Sequence, residues 1–148
     1  MKFKFNLQKV LEHRKTLENL AQKIFQEATY NLNVEIEKLK TMEHELHESF
    51  FRNQEYIEQG GSQAPAWQQV HEFKLGQEIK IARQKEVIQK HLQIVEQKRQ
   101  DLMATTKEYK IIEKLKEKKQ KEFKEEMNYL EQKELDEMTI MRYKKTST

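Results

Sequence analysis

The sequence predicts an all-α protein, two long helices folded back on one another as an antiparallel coiled-coil hairpin with the second helix overhanging at the C-terminus. Three observations lead there. Helix breakers are confined: of three glycines and one proline in 148 residues, two glycines and the proline fall within Gly60-Gly61-Ser62-Gln63-Ala64-Pro65. Glycine costs about 1 kcal/mol and proline about 3 kcal/mol in a helix interior, so elsewhere the chain is built to be helical. The composition, 36% hydrophobic against 36% charged with a mean hydropathy of -1.04, is thin for a globular core but sufficient for a narrow two-helix seam. Finally, apolar residues recur at seven-residue spacing on both sides of the breakers.

A single hairpin over residues 1–148 is expected, with helix one at about 7–59, a hinge at 60–65 and helix two at about 66–142. Phe3 and Phe5 lead into Asn6, a good N-cap, and Phe5 is placed to staple onto Val10. Val10, Leu17 and Ile24 fall seven apart, with Ala21 and Ala28 as companions. From Ala28 the seam steps by four through Leu32 to Ile36, a local unwinding, and resumes at Leu39, Leu46 and Phe50. Arg14, Glu43 and Asn53 occupy would-be core positions as polar gaps. At the hinge, Ser62 can cap the second helix and Pro65 is tolerated in its first turn. The second seam starts at Trp67, Val70 and Phe73. It continues through Ile81, Ile88, Leu92, Val95, Leu102, Tyr109, Ile112 and Leu115. After an apolar gap at 116–122 it returns at Phe123, Met127, Leu130, Leu135, Met138 and Met141, ahead of a polar tail from Lys144 that is expected to fray.

Folding at residue 62 or 63 makes the numbers of facing residues total about 125. Leu46 then meets Ile79, Leu39 meets Val87, Leu32 meets Leu92, Ile24 meets Leu102, Leu17 meets Tyr109 and Val10 meets Leu115. Residues beyond about 125 have no facing helix, an overhang of roughly 18 residues or ~27 Å. That overhang still carries a methionine and leucine stripe, which calls for a partner in trans.

The charge pattern narrows the function. Net charge is only +3, because 28 basic residues interleave with 25 acidic ones. Lys114, Lys116, Lys118, Lys119, Lys121 and Lys124 could contact phosphates, but Glu113, Glu117, Glu122, Glu125 and Glu126 repel the same backbone. A salt-bridged helix surface is the simpler reading, and no nucleic-acid partner is expected. No apolar run approaches the ~20 residues of a membrane span, and the first residues lack a signal-peptide core, which predicts a cytoplasmic protein without direct membrane insertion. Without cysteine there are no disulfides or thiolate metal sites. His44-Glu45-Leu46-His47 spaces its histidines by three rather than the four of zinc peptidases, so they read as solvated helix residues and no metal is expected. There is no phosphate loop, nucleophile elbow or dinucleotide turn, and no buried carboxylate pair. Neither catalytic residues nor a cofactor are expected, and the protein reads as non-enzymatic.

Phe50, Phe51, Tyr56, Trp67 and Phe73 gather near the hinge. Two thin helices cannot bury five rings in one seam, so some are expected inward, closing the hairpin, and others outward as interface anchors.

The opening Phe3-Lys4-Phe5-Asn6-Leu7-Gln8-Lys9-Val10-Leu11-Glu12-His13-Arg14, Trp67 with Phe73 six residues on, and the late Glu131-Gln132-Lys133-Glu134-Leu135-Asp136-Glu137 resemble the FliJ family of flagellar type III export proteins. The resemblance implies an antiparallel coiled coil like the central stalk of rotary ATPases, peripheral to the inner-membrane export apparatus. In that picture the end carrying the termini faces the hexameric export ATPase through Met127, Leu130, Leu135, Met138 and Arg142. The hinge end meets the cytoplasmic domain of the membrane export gate through Phe73, with Phe51, Tyr56 and Trp67 beside it, while Gln77 stands where an aliphatic gate contact would be expected. Export chaperones are a further implied partner. The competing readings are a structural or chaperone-like hairpin of another system, such as virulence type III secretion, and an RNA-binding helical arm.

Overall fold

A computed structural model describes residues 2–61 and 63–146 of the chain. Two helices, α1 (Gln8–Glu58) and α2 (Gln63–Thr146), of 51 and 84 residues, form the antiparallel hairpin. Helicity is supported along the surface by ion pairs one turn apart, among them Lys38 with Glu35, Arg52 with Glu48 and Arg99 with Glu96. Such pairs each contribute about 0.2–0.5 kcal/mol. The Leu7 carbonyl accepts the first helical bond, from the Leu11 N–H at 2.9 Å, so α1 is capped at Leu7, one residue beyond Asn6. At the other end α2 runs to Thr146 and takes in Lys144 and Lys145, where fraying was expected. Ser147 and Thr148, like the expected cap Ser62, lie outside the described residues.

The hinge is shorter than the breaker cluster. Gly60 has φ +91°, its N–H bonds the Ile57 carbonyl at 3.1 Å, and the Gly61 N–H bonds the Tyr56 carbonyl at 2.9 Å. These are the two bonds of a Schellman motif, which satisfies carbonyls left open at a helix end and needs a left-handed residue. Gly61 is favoured for a different reason, since a side chain there would displace the Tyr56 ring. Ala64 and Pro65 already belong to the first turn of α2, where a missing N–H leaves no bond unmade.

Two compact units can be distinguished. The first comprises Leu20–Leu102. In it, two seven-residue lanes of α1 are turned inward, Phe25, Leu32, Leu39, Leu46 and Asn53 alongside Ala21, Ala28, Glu35, Met42 and Ser49. They meet two lanes of α2, Ile81, Ile88, Val95 and Leu102 alongside Val70, Gln77, Gln84, His91 and Lys98. All of these are buried or half-buried. The lanes are unbroken, so no four-residue step occurs near Ile36. Several residues assigned to the seam instead face solvent: Ile24, Phe50, Trp67, Phe73 and Leu92 are exposed. Their neighbours Phe25, Ser49, Val70 and His91 hold the inward positions.

The α2 lane is largely polar, and its glutamines are the least exposed polar residues of the unit. Gln77, 3% exposed, donates to the Met42 carbonyl at 2.9 Å and to the Glu45 carboxylate at 3.2 Å. One heptad on, Gln84 donates to the Glu35 carbonyl at 2.8 Å and the Glu35 carboxylate at 2.7 Å. Each glutamine thus ties α2 to a backbone carbonyl of α1, and the two carbonyls are themselves a heptad apart. Gln77, at a position where the family resemblance implied an aliphatic gate contact, is therefore a rung of the seam.

The second unit joins Met1–Asn19 to Met103–Thr148. Leu11 is its buried residue on α1. Arg14, anticipated as a polar gap, pairs across the seam with Glu108, and Lys15 lies over the Tyr109 ring at 4.9 Å. Ahead of α1, the segment 2–5 lies against α2, bringing Phe3 onto Phe123 with ring centroids 5.6 Å apart. Met127 is half-buried, and every described residue of α2 beyond it, 128–146, is exposed.

Three outcomes are expected. Replacing Gly60 by Ala forces a left-handed non-glycine residue and should lower unfolding stability by about 1–2 kcal/mol in a denaturant titration; an unchanged midpoint would mean that the turn re-forms without it. The Glu35 carboxyl is held below its ordinary value of 4.5, first by the Gln84 amide and then by Lys38. A depressed carboxyl adds stability above its unfolded-state pKa, and that stability is lost as pH falls through the folded-state value. Thermal stability should therefore decline below about pH 4.5, and Glu35→Gln should flatten part of the decline. Gln84→Ala should cost about 1–3 kcal/mol at neutral pH; a neutral effect would remove the rungs from the description of the seam.

Candidate functional site

Two surfaces offer chemistry for recognition, one in each unit. In the Leu20–Leu102 unit, the last turns of α1 and the first turns of α2 present Phe51, Tyr56, Trp67 and Phe73, all exposed. Only two of them share a site. Tyr56 and Phe73 line one groove with Arg52, Asn53, Pro65 and Gln69, floored by the buried Val70 and rimmed by Glu45 and Glu48. Phe51 stands five positions before Tyr56 and Trp67 six positions before Phe73, which rotates the first of each pair by more than 100° about its helix. Phe51 and Trp67 accordingly look out elsewhere. Phe50 faces Lys74, whose ammonium sits 5.9 Å from the ring centre. None of the five rings is drawn fully inward, so closure of the hairpin rests on Val70 and the Gly60-Gly61 turn rather than on an aromatic cluster.

The groove carries charge of both signs. Arg52 bonds Glu48 at 2.9 Å, and His44 lies 3.2 Å from the same carboxylate. The Glu48 carboxyl is held below its ordinary value, chiefly by Arg52 and then by His44. His44 is thereby placed as a surface residue beside the Glu48 carboxylate one turn on.

In the other unit, the exposed stretch 128–146 carries Leu130, Leu135, Met138 and Arg142. Of the five residues singled out there, Met127 alone is half-buried, beside the segment that covers Phe123. Met138, Met141 and Arg142 line a shallow apolar groove with Lys144 and Lys145. Sequence reasoning passed over Tyr129, Ile140 and Tyr143, which form a second apolar strip on the opposite side of this helix and reach 74% exposure at Tyr143. Their signal was available as apolar residues off the heptad, where a helix seated in a partner on one side only would carry polar ones.

Trp67, the only tryptophan, is 59% exposed. The intrinsic fluorescence of the isolated chain should therefore be red-shifted and readily quenched by iodide. A blue-shifted, quench-resistant emission would mean that the ring is covered and the surface wrongly described.

No helix among the described residues is long and apolar enough to cross a membrane. No curated relative matches the chain. A solved structure of a proposed YscO homolog, CT670 from Chlamydia trachomatis, is similar in fold, with a TM-score of 0.63 and 24% identity over 97% of this chain and 96% of that one. The model of the flagellar FliJ protein family matches residues 3–148. A match over that span, on a two-helix hairpin, makes the chain a type III export-related protein that belongs to the flagellar FliJ family.

Proposed function

We propose that this chain is a non-enzymatic, stalk-like coupling protein of flagellar type III export, working in the cytoplasm at the inner-membrane apparatus between the export ATPase hexamer and the cytoplasmic domain of the export gate. The observation that carries the reading is the stretch 128–146, a helix exposed on every side yet studded with Leu130, Leu135, Met138 and Met141. A lone helix of this length is marginal in water, so an apolar surface of this kind favours a partner that sheathes it. A central opening in a ring of six subunits is such a sheath. The opposed strip of Tyr129, Ile140 and Tyr143 favours enclosure over one-sided docking. Unbranched methionines adapt to a socket whose six subunits are not equivalent around one helix, and Arg142 brings positive charge to the last turns.

The groove of Tyr56 and Phe73 is the proposed gate contact, with Phe51 and Trp67 as outlying anchors on neighbouring faces. Exposed rings beside a charged rim have the make-up of an interface hot spot. Export chaperones would be further partners of the same system.

A chain ending at Lys124 should keep its hairpin, lose stimulation of the export ATPase and still bind the gate domain. Phe73→Ala with Tyr56→Ala should do the reverse, weakening gate binding by about thirtyfold, or 2 kcal/mol, and sparing ATPase stimulation. Normal stimulation by the truncated chain, or gate binding untouched by the double substitution, would overturn the corresponding assignment.

A further inference from the structure

We propose that two copies of this chain pair antiparallel through residues 130–146 of α2, about a two-fold axis at Met138. Leu130, Leu135, Met138 and Met141 lie on one side of the exposed stretch, within about 140° of arc. The charges on that side are segregated. Glu131 and Glu134 precede Met138, whereas Arg142 and Lys145 follow it.

An antiparallel pair centred on Met138 places Leu135 of one copy opposite Met141 of the other. It also places Glu134 opposite Arg142 and Glu131 opposite Lys145, and symmetry supplies each contact twice. A parallel pair would set every acid against its own copy and every base likewise, which is repulsive. The order of charges therefore selects both a partner, a second copy, and an orientation. Overlap extends over about 17 residues, roughly 26 Å, with three apolar layers at its centre. A seam so short gives a weak, salt-sensitive dimer. The face is the one proposed above to enter the ATPase ring, so self-pairing and ring docking exclude one another. The pairing itself is measured on the chain alone and does not depend on that role.

Sedimentation equilibrium of the full chain at low salt, from low to high micromolar concentration, should show a monomer–dimer equilibrium that raised salt reverses. Arg142→Glu should raise the dissociation constant at least about tenfold, and adding Glu134→Arg to the same chain should restore it, because the swapped charges again face opposite signs. The absence of cysteine allows single-thiol reporters. With oxidised glutathione as the oxidant, reduced as the protein disulfide forms, Met138→Cys should link two copies faster than Leu130→Cys, whose counterpart across the seam is residue 146. A chain that stays monomeric at every concentration assigns this face to a different protein and overturns the proposal. Equal linking at both positions, or failure of the double swap to restore pairing, overturns the antiparallel register.

Discussion

Gln77 and Gln84 reaching across to the carbonyls of Met42 and Glu35 are the interactions on which this hairpin most depends for its alignment. Two helices in contact have one seam, and here that seam contains few buried apolar residues, among them Ala28, Leu32, Val70 and Ile88. Apolar layers repeated every seven residues are nearly interchangeable, so a slip by one heptad would change their burial little. A buried amide left without its carbonyl costs about 1–3 kcal/mol, which penalises the slipped arrangement. Polar seam residues used in this way trade stability for a defined register.

The turn and the seam divide the task. The Schellman bonds at Gly60 and Gly61 end α1 abruptly and limit where α2 begins. The glutamine rungs then fix how α1 and α2 align within the Leu20–Leu102 unit. In the other unit, Arg14 with Glu108 and Phe3 on Phe123 hold the start of the chain against α2. Beyond Phe123 and Met127 nothing further of this chain covers α2 among the described residues. Coverage ends while the apolar residues continue, and that mismatch is what turns a packing description into a functional reading for this member of the FliJ family.

The hinge and both helices were legible because glycine and proline punish a helix interior enough to be confined. The lane through Ile81, Ile88, Val95, Leu102 and Tyr109 was legible because apolar side chains mark it. Its companion was not, since Gln77, Gln84, His91, Lys98 and Thr105 carry no hydrophobic signal, although each stands a multiple of seven from Val70. Seeking apolar residues in its place drew Leu92 and Phe73 into the seam. On α1 the same habit preferred Val10 and Ile24 to Leu11 and Phe25, and the one-residue error produced a four-residue step that the helix does not have. For the candidate sites, the sequence located the aromatics and the overhang. It could not tell which rings share a groove, because that depends on the rotation of each helix about its axis, which the glutamine lane sets.

The most direct measurement is amide hydrogen exchange along the isolated chain, dilute enough to be monomeric. Protection should be strong where α1 and α2 face one another and should fall sharply after Met127, because a helix of about 19 residues without packing opens readily. Slow exchange persisting through residues 128–146 in the monomer would mean that this stretch already has an intramolecular partner, and would contradict the claim that its apolar surface is left for another molecule.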